Sequence, residues 1–471
     1  MKKVIAILIV LVLCSTGIVW ASGLAIPEQG AAAMAMSAAM TARSEDLSSI
    51  FYNPAGIDYV ENADVLLGIT PIMPSHSFKG TAGSTDAESN VFLPPQIYAA
   101  KRINDYIVLG LGVFAPFGLG TDWDEEWNGR YTSSFAEIQS VYINPTISYR
   151  LNDKVSLGLG VSYITSSATI ERMGDTGLAV YSMAGGSTAL AANIGNPAFD
   201  SEFSLDGSGS GFGFNIGALI RPIDKLQLGI SYRGATDIEY EGKAKFTHKD
   251  ALKSIPLGGG TVYDAVSGMY PASQDGTATL HLPWMLNLGA LYDITDAWDA
   301  SVDLDFVGWK VYDELVIKFD KGVGSGLATK EQSSPKDWEN SFIFRAGTSY
   351  DINEALTLRG GFLYDKNPVP DETMDGQLPD ADRTGISLGA GYKIGVLRFD
   401  ISYMLLMFAD RAKDNLVGYS DTDIPKNGVG ATDQEKLNDI FKLQGRGAYP
   451  AGNGDYESSA NLLSVSVSYS F

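Results

Sequence analysis

The stretch Val155-Ser-Leu-Gly-Leu-Gly-Val-Ser-Tyr163 decides the fold, because apolar side chains alternate in it with serine and glycine. The same alternation recurs in three further stretches, at 226–233, 301–306 and 463–471. A period of two places the apolar side chains on one face of a β-strand. The opposite face includes Arg233, Asp303 and Asp305, which a soluble sandwich core would not tolerate. Soluble sheets and membrane barrels share this pattern, so the orientation of the faces has to come from the turns.

Very short turns join such strands in pairs. Six are recognisable, at Arg102–Asp105, Arg150–Asp153, Arg221–Asp224, Asp293–Asp296, Asp351–Glu354 and Lys393–Val396. A tyrosine in the apolar phase stands just before four of them, namely Tyr149, Tyr292, Tyr350 and Tyr392. Tyrosines at one level of several hairpins are typical of the belt where strands leave lipid for water.

The strand count follows from the hairpins. Six hairpins give twelve strands, and 63–79 and 457–471 add one each. An antiparallel sheet of this length cannot stay open in lipid, because its edges would carry unpaired backbone groups. We therefore predict an all-β fold, a closed transmembrane antiparallel β-barrel of about 14 strands over residues 63–471, in a bacterial-type outer membrane with both termini periplasmic.

Long polar connections lie on the other side of the predicted barrel. They are Thr81–Asn90, Leu119–Phe135, Gly174–Ser210, Lys249–Gly276, Lys321–Lys336, Asn367–Ala381 and Arg411–Asp455. Short turns on one side and long loops on the other are typical of outer-membrane barrels. Within the third loop, Leu178–Tyr181 and Ala189–Asn193 are predicted to form short helices.

Residues 1–21 have the composition of a secretory signal. Two lysines precede the apolar run Val4–Leu13, and small residues end at Ala21, after which cleavage is predicted. A membrane anchor is one alternative, but the run is short for a spanning helix. A lipoprotein signal at Cys14 is another, although Leu13 stands where such sites carry a small residue. The mature chain then has no cysteine and no disulfide.

Charge and composition exclude several classes of protein. The net charge of −22 argues against binding nucleic acid or anionic lipid through a basic face. After the signal, no stretch reaches the roughly 18 apolar residues of a membrane-spanning helix. The 52 glycines and 23 tyrosines favour turn-rich β structure.

Residues 22–62 are predicted to form a plug inside the barrel lumen. Small side chains dominate this segment, so it cannot bury enough apolar surface to order itself. It nevertheless ends in Asn53-Pro54-Ala55-Gly56, which is strong turn chemistry and the predicted gating element. A disordered mature N-terminus is the alternative.

Aromatic residues in an outer loop are the first ligand-binding candidates. Phe117 leads into Trp123 and Trp127, beside the acidic cluster 122–126. We predict exposed aromatics that form a landing surface for an apolar solute, with loop-to-loop packing as an equal alternative. The acidic cluster does not have the spacing of an EF-hand, so a solvated loop is favoured and no metal site is predicted.

A gap in the wall is predicted in the third strand. Gly110, Gly112 and Pro116 interrupt its pattern. Glycine in a strand marks a bulge or a close approach, and proline removes a ladder donor. A gap at this place would let an apolar molecule leave sideways into lipid.

The sequence predicts neither catalysis nor a cofactor. A hydrolase needs a base oriented by a third group beside a nucleophile. His76, His248 and His281 are far apart in the chain. His281 alternates into the lumen phase near Trp284 and is a candidate base, but a polar lumen residue is the favoured interpretation.

Five stretches resemble the outer-membrane long-chain fatty acid transporter family (FadL-type), including its aromatic-hydrocarbon uptake members. They are the segment ending Asn53-Pro54-Ala55, Pro116–Tyr131, Ile143–Pro145, Phe306–Trp309 with 313–315, and Asn367–Pro370 with Pro379–Arg383, in the family's order. The resemblance implies a plugged barrel of fourteen strands that takes up hydrophobic molecules. It also implies an outer groove, an inner pocket and lateral release at a kink in the third strand.

The resemblance also suggests residues for a ligand head group. Ile170-Glu-Arg172 is similar to a family segment whose arginine meets a fatty acid carboxylate, and an ion pair is the alternative for Arg172. The family often has Trp-Lys-Asp/Asn-Ser/Thr where this chain has Trp338-Glu339-Asn340-Ser341, with Lys336 close by. A glutamate repels a carboxylate, so neutral hydrocarbons stay open as substrates.

The predicted function is passive uptake of hydrophobic molecules, with long-chain fatty acids first and aromatic hydrocarbons as the alternative. No energy-coupling motif is visible in the sequence. The expected partners are the solute, outer-membrane lipid and lipopolysaccharide, and a monomer is expected. A water-filled general porin is the alternative from another class, followed by a structural or adhesive barrel.

Overall fold

The structure is a computed structural model that describes residues 23–184, 192–418 and 449–471. The predicted signal at 1–21 lies outside these residues, as do most of the predicted helix at Ala189–Asn193 and most of the last outer loop. Among the described residues, no helix combines the length and the apolar character needed to cross a membrane.

Fourteen antiparallel strands, eight of them in two segments, form the sheet in this part of the chain. They are β1 (Ala63–Ile69 and Ile72–Gly80), β2 (Gly83–Asp86 and Pro95–Arg102), β3 (Ile107–Phe114 and Gly118–Asp122), β4 (Phe135–Asn152), β5 (Val155–Gly174), β6 (Ser201–Ile223), β7 (Leu226–Arg233 and Thr236–His248), β8 (Ser273–Leu282 and Trp284–Thr295), β9 (Trp298–Gly308 and Glu314–Val323), β10 (Thr329–Pro335 and Ser341–Asp351), β11 (Leu356–Asp365), β12 (Arg383–Ile394), β13 (Leu397–Phe408 and Arg411–Lys413) and β14 (Gly454–Ser470).

The helices of the described residues are short. They are α1 (Ala31–Met34), α2 (Ser49–Tyr52), α3 (Thr176–Met183) and α4 (Val262–Met269), with 3-10 turns at Pro54–Tyr59, Pro197–Phe199, Asp250–Ser254, Trp309–Val311 and Ser325–Leu327. A two-stranded ribbon, Pro256–Leu257 with Gly260–Thr261, lies in the loop before α4. Helix α3 contains the predicted Leu178–Tyr181 helix.

The sheet closes on itself. β1 pairs on one side with β2 and on the other with β14, where Asp64 is opposite Ser470. Near the tight turns, each described strand is paired on both sides, as a sheet in lipid requires. The predicted barrel and its strand number are confirmed.

The apolar face of the sheet points outward. Leu159 is 47% exposed, whereas the neighbouring Ser162 on the other face is fully buried. At the end of the barrel with the tight turns, the four predicted belt residues are all exposed: Tyr149, Tyr292, Tyr350 and Tyr392. The barrel therefore presents its apolar face and aromatic belt to lipid and keeps its polar face inside.

Several outer loops are shorter than predicted. The connection predicted at Thr81–Asn90 begins with a tight turn between Gly80 and Gly83, and the one predicted at Lys321–Lys336 shrinks to 324–328. β6 and β8 likewise begin earlier than predicted. The outer ends of these strands carry charged side chains on their outer face, such as the exposed Lys243–Asp275 ion pair. The apolar alternation that marks a strand in lipid is therefore missing there.

A break in β8 changes which residues face outward. Below Pro283 the outward residues are even-numbered, as in Leu288, and above it they are odd-numbered. His281 therefore points outward, and its Nδ1 is 2.6 Å from Oδ1 of the exposed Asp237. The prediction that His281 faces the lumen is wrong, because Pro283 shifts the alternation by one residue.

The N-terminal segment (residues 23–62) packs closely against the inner wall. A Cβ at Gly158 would lie 2.2 Å from the Ala55 nitrogen, and one at Gly361 would lie 2.3 Å from the Met36 carbonyl carbon. Other inward glycines touch the segment in the same way, among them Gly217, Gly229, Gly289, Gly347 and Gly389. Glycine on these strands lets the backbone of the segment approach the wall.

Inward polar side chains of the wall bind the backbone of this segment. The Thr41 N–H donates to Asp303 Oδ2 at 2.7 Å, and Arg345 Nη1 donates to the Ser37 carbonyl at 3.0 Å. Arg233 Nη2 donates to the Phe51 carbonyl at 3.0 Å. The N-terminal segment has little regular secondary structure, so many of its backbone groups need other hydrogen-bond partners. The polar inner face of the wall, which a soluble core would not tolerate, supplies such partners.

The end of the segment is held by an ionic cluster. Asp58 accepts hydrogen bonds from Arg150 Nε at 3.0 Å and from the Ser156 hydroxyl at 2.7 Å, and it pairs with Arg102. Burial alone would raise the pKa of Asp58, but the bonds from Arg150 and Ser156 lower it overall. Asp58 is therefore held as a carboxylate next to the first strand.

Two adjacent glycines of β11 provide a test of this packing. Gly361→Val should clash with the Met36–Ser37 peptide and cost about 1–3 kcal/mol of stability. Gly360→Val is the control, because a Cβ there has its nearest neighbour at 3.5 Å. Semi-native electrophoresis should show a lower unfolding temperature for Gly361→Val alone. Equal shifts for both variants would contradict the packing.

Candidate functional site

A partly open cavity lies inside the barrel. Its wall comes from β4 to β9, and its other side is the loop between β11 and β12 (residues 366–382). Aliphatic side chains dominate the lining, among them Ile138, Leu205, Ala278, Leu280 and Leu315. A largely apolar cavity with a few polar groups is typical of a small-molecule binding site.

Trp338 connects the cavity with the start of the N-terminal segment. Its buried ring packs edge-on against Trp309 at 4.7 Å and Tyr312 at 4.9 Å. A Cβ at Gly23 would lie 2.5 Å from Trp338 Cζ3, so the peptide at Gly23 rests on the indole. The next residue, Leu24, lines the cavity together with Trp338.

The start of the N-terminal segment is also clamped by polar groups. Asp380 Oδ2 accepts the Gly23 N–H at 2.9 Å, and Arg383 Nη2 donates to the Gly23 carbonyl at 2.9 Å. Burial raises the pKa of Asp380, against the opposing effect of Arg383. Both residues belong to the stretch Pro379–Arg383, for which the sequence suggested a family resemblance but no clamp.

Lys336 brings charge to the cavity. Its Nζ lies 3.0 Å from Asp375 Oδ2 and 3.2 Å from Gln377 Oε1, and all three residues line the cavity. Among the lining residues, Lys336 and Asp375 are the two that carry charge, and both are buried. The polar part of the site is thus an ion pair.

Arg172 lies near this site but not in its lining. It follows Ile170 on the inner face of β5, and its guanidinium lies 5.5 Å from the centre of the Phe203 ring. Its Nη2 donates to Gln332 Oε1 at 3.4 Å. Glu339, the departure from the family pattern, is exposed, and its N–H donates to the Pro368 carbonyl outside the cavity.

The wall of β3 is interrupted at Ala115–Phe117. The N–H of Ile26 donates to the Pro116 carbonyl at 2.8 Å, and the N–H of Gly118 donates to the Leu24 carbonyl at 3.0 Å. Ala25 is thereby paired with Phe117 in an isolated antiparallel bridge. The N-terminal segment thus occupies the position of a neighbouring strand at the break.

Gly110 and Gly112 do not interrupt β3, contrary to the prediction. The ladder from Ile107 to Phe114 is continuous with both neighbouring strands. A Cβ at either glycine would lie about 2.9 Å from Ile50 or Ile57 side-chain atoms. These glycines therefore make room for the N-terminal segment.

The prediction that Phe117, Trp123 and Trp127 are exposed is wrong. Each is at most 3% exposed. Phe117 packs on Tyr142 and Trp309, and the indoles of Trp123 and Trp127 stack at 4.4 Å. Exposed aromatic rings would leave apolar surface in water, so the loops fold over them and the packing alternative applies.

Trp123 does not line the cavity, but it holds a loop whose residues do. Its Nε1 donates to the Gly376 carbonyl at 2.9 Å, and the Thr121 hydroxyl donates to the Gln377 carbonyl at 3.0 Å. Trp123 and Thr121 thereby hold two successive carbonyl groups of the loop 366–382, next to the ion pair of Lys336. Sequence reasoning missed this role, because it depends on a contact between residues far apart in the chain.

A buried polar network ties the outer loops together. Asp200 accepts from Arg130 Nε at 2.6 Å and from the Tyr131 hydroxyl at 2.8 Å. Asp175 accepts from the Tyr449 hydroxyl at 3.1 Å. Burial, and then the charge of Asp200, raise the pKa of Asp175 to about 7. Loops from three separate parts of the chain are joined by this network.

Comparison with known proteins gives one consistent family. Residues 12–471 match the family model described as "Outer membrane protein transport protein (OMPP1/FadL/TodX)". The outer membrane protein P1 of Haemophilus influenzae is 27% identical over 82% of this chain and 83% of its own length. A long-chain fatty acid transport protein of Escherichia coli is 28% identical over 74% of this chain and 78% of its own length.

Solved structures share the fold at lower identity. A FadL homologue of Pseudomonas aeruginosa superposes with a TM-score of 0.76 at 19% identity, over 96% of this chain and all of that one. The toluene transporter TodX of Pseudomonas putida gives 0.68 at 16% identity, over 95% of this chain and 99% of the other.

Two neighbouring residues of β8 test the cavity. Ala278→Trp should fill the cavity and weaken the binding of a neutral fluorescent probe such as N-phenylnaphthylamine at least about tenfold, because about 1.4 kcal/mol of contact is lost. Thr277→Trp, on the outer face, should leave binding unchanged. Equal loss in both purified variants, or in neither, would show that the probe binds elsewhere.

Proposed function

The chain belongs to the OMPP1/FadL/TodX family of outer membrane transport proteins, whose members are channels for hydrophobic substrates, and we propose that it takes up apolar solutes through the cavity and releases them sideways at the break in β3. The observation that carries the proposal is that one short stretch, residues 23–26, contacts both places.

Apolar burial alone is enough for binding. Each buried CH₂ contributes about 0.8 kcal/mol, and micromolar affinity corresponds to about 8 kcal/mol, so about ten methylene groups suffice. The largely apolar lining of the cavity suits long-chain fatty acids and aromatic hydrocarbons alike. No chemical step on the solute is required, and we propose diffusive transport.

The same contacts suggest how the solute opens its exit. A solute that displaces Leu24 from the cavity lining pulls on the hydrogen bonds that Leu24 and Ile26 make at the break in β3. Their loss would open the wall beside Pro116 towards lipid. An N-terminal segment without long helices can shift here while the barrel strands stay in place.

We propose that residues 22–62 form the plug and that Asn53, Pro54, Ala55 and Gly56 close its lower part. Asn53 Nδ2 donates to the Thr41 carbonyl at 2.7 Å and to the Ala218 carbonyl of the wall at 3.1 Å. Pro54 and Ala55 press on Gly158. These residues would move only after the upper end of the segment is released.

The proposal also covers the orientation of the barrel, the signal and the oligomeric state. We place the start of the barrel and the C-terminus on the periplasmic side, because Ala63 and Phe471 lie at the end with the tight turns and are joined by a hydrogen bond of 2.8 Å. Gly23, where the described chain begins, is bound instead by Asp380 of the outer loop 366–382, so the structure does not support the predicted periplasmic N-terminus. A cleaved signal at residues 1–21 would export the chain. The barrel closes within one chain, which supports a monomer surrounded by outer-membrane lipid and lipopolysaccharide.

A general porin is the second candidate function. It needs a water-filled lumen lined by charge. Here the inward charges at Asp303 and Arg345 bind the backbone of the N-terminal segment and do not face a channel. A large single-channel conductance for salts in planar bilayers would favour the porin.

Uptake by whole cells tests the transport proposal. Cells that lack their own transporter should accumulate oleate or toluene faster when they carry this barrel, because the outer leaflet resists apolar solutes. Heat-modifiable migration on gels would confirm that the barrel is assembled. Equal uptake with and without the protein would overturn the proposal.

An engineered disulfide tests the exit. The mature chain has no cysteine, and Ala25 and Phe117 are bridge partners, whose Cα atoms are about 4.5–5.5 Å apart, within disulfide reach. Ala25→Cys/Phe117→Cys should lose most uptake when oxidised and regain it with a reductant, because the exit is locked shut. The two single variants are the controls. Unchanged uptake by the oxidised double variant would contradict release at this break.

A further inference from the structure

We infer that Asp375 is a specificity-determining residue that makes the cavity favour uncharged apolar solutes over carboxylates of the same chain length. This inference rests on the proposed function, because it assigns a substrate class to the same cavity. Its basis is the ion pair that Asp375 makes with Lys336, the cation of the lining.

The carboxylate of Asp375 is already placed where a ligand carboxylate would bind. Its Oδ2 lies 3.0 Å from Lys336 Nζ, and its Oδ1 accepts the Gln377 N–H at 2.9 Å. The side chains of the pair are only 9% and 12% exposed. A ligand carboxylate would have to displace Asp375 and leave that charge buried without its partner, which is strongly unfavourable.

The surrounding backbone prevents Asp375 from moving aside. The Thr373 hydroxyl donates to the Lys336 carbonyl at 2.5 Å, which ties the loop to the strand break of β10. On the other side, the Trp123 indole holds the Gly376 carbonyl. A side chain whose backbone is fixed from both sides stays at the polar end of the cavity.

Arg172 is a second cation near the cavity, but it does not make the cavity favour carboxylates. Its guanidinium lies over Phe203 and bonds to Gln332 above the lining. The charges of Arg172 and Asp375 interact, so a ligand carboxylate that reached towards Arg172 would still be repelled by Asp375. An alcohol, an ester or an aromatic ring meets no such repulsion, since it carries no charge.

The test compares palmitate with hexadecanol, its uncharged counterpart of the same chain length. Each competes for the purified protein with neutral N-phenylnaphthylamine at mildly alkaline pH, where a free carboxylic acid is ionised. Asp375→Asn should tighten palmitate binding at least about tenfold and change hexadecanol binding by less than about threefold, because only the anion gains Lys336 and loses the repulsion.

Two further variants separate the causes. Asp371→Asn removes a carboxylate from the same loop that is 82% exposed, and it should change neither affinity. Lys336→Gln/Asp375→Asn removes both charges and should abolish the gain for palmitate while hexadecanol still binds. This double variant also leaves no buried charge unpaired, so it tests the inference if the single variant is unstable.

The outcomes are distinct. A gain confined to palmitate in Asp375→Asn supports the inference. Unchanged palmitate binding, or an equal change for both ligands, overturns it while the proposed transport stands. If neither ligand displaces the probe from the wild-type protein, the cavity is not the solute site, and both the proposed function and this inference fall.

Discussion

A barrel in lipid must pair every backbone group within its own chain, and this requirement shapes the whole molecule. Closure between β1 and β14 meets it for the wall. It leaves a lumen lined with polar side chains, and the N-terminal segment supplies their partners. The bonds from Thr41 to Asp303 and from Arg345 to Ser37 are examples in which backbone groups and buried charges satisfy one another.

The same constraint explains where the cavity lies. Low in the barrel, inward glycines such as Gly158 and Gly361 bring the N-terminal segment into contact with the wall. Higher up, the strands β7 to β10 break at similar levels, and the segment reaches only as far as Gly23 in the described residues. Apolar side chains line the cavity above the packed part of the N-terminal segment, because no backbone of that segment needs hydrogen-bond partners there.

The fold was largely predictable from residues close together in the chain. Alternation such as that of Val155–Tyr163, with turns such as Arg150–Asp153, gave the number of strands and the outward face, because a period of two is a local property. The outer strand ends were not predictable. Residues such as Lys243 and Asp275 face water there, so their pattern resembles a loop.

The candidate site was predictable only in part, and the reason is physical. The sequence by itself determined a barrel with polar residues inside, since no other arrangement in lipid accommodates Asp303 beside Leu304. It also drew attention to Lys336 and Trp338, through the resemblance to a family. Tertiary structure decided the rest. His281 turned outward because the break at Pro283 shifts the alternation, and simple alternation does not show such a break. Lys336 pairs with Asp375 in the lining of the cavity, and this contact joins residues 39 positions apart in the chain, so no local pattern specifies it.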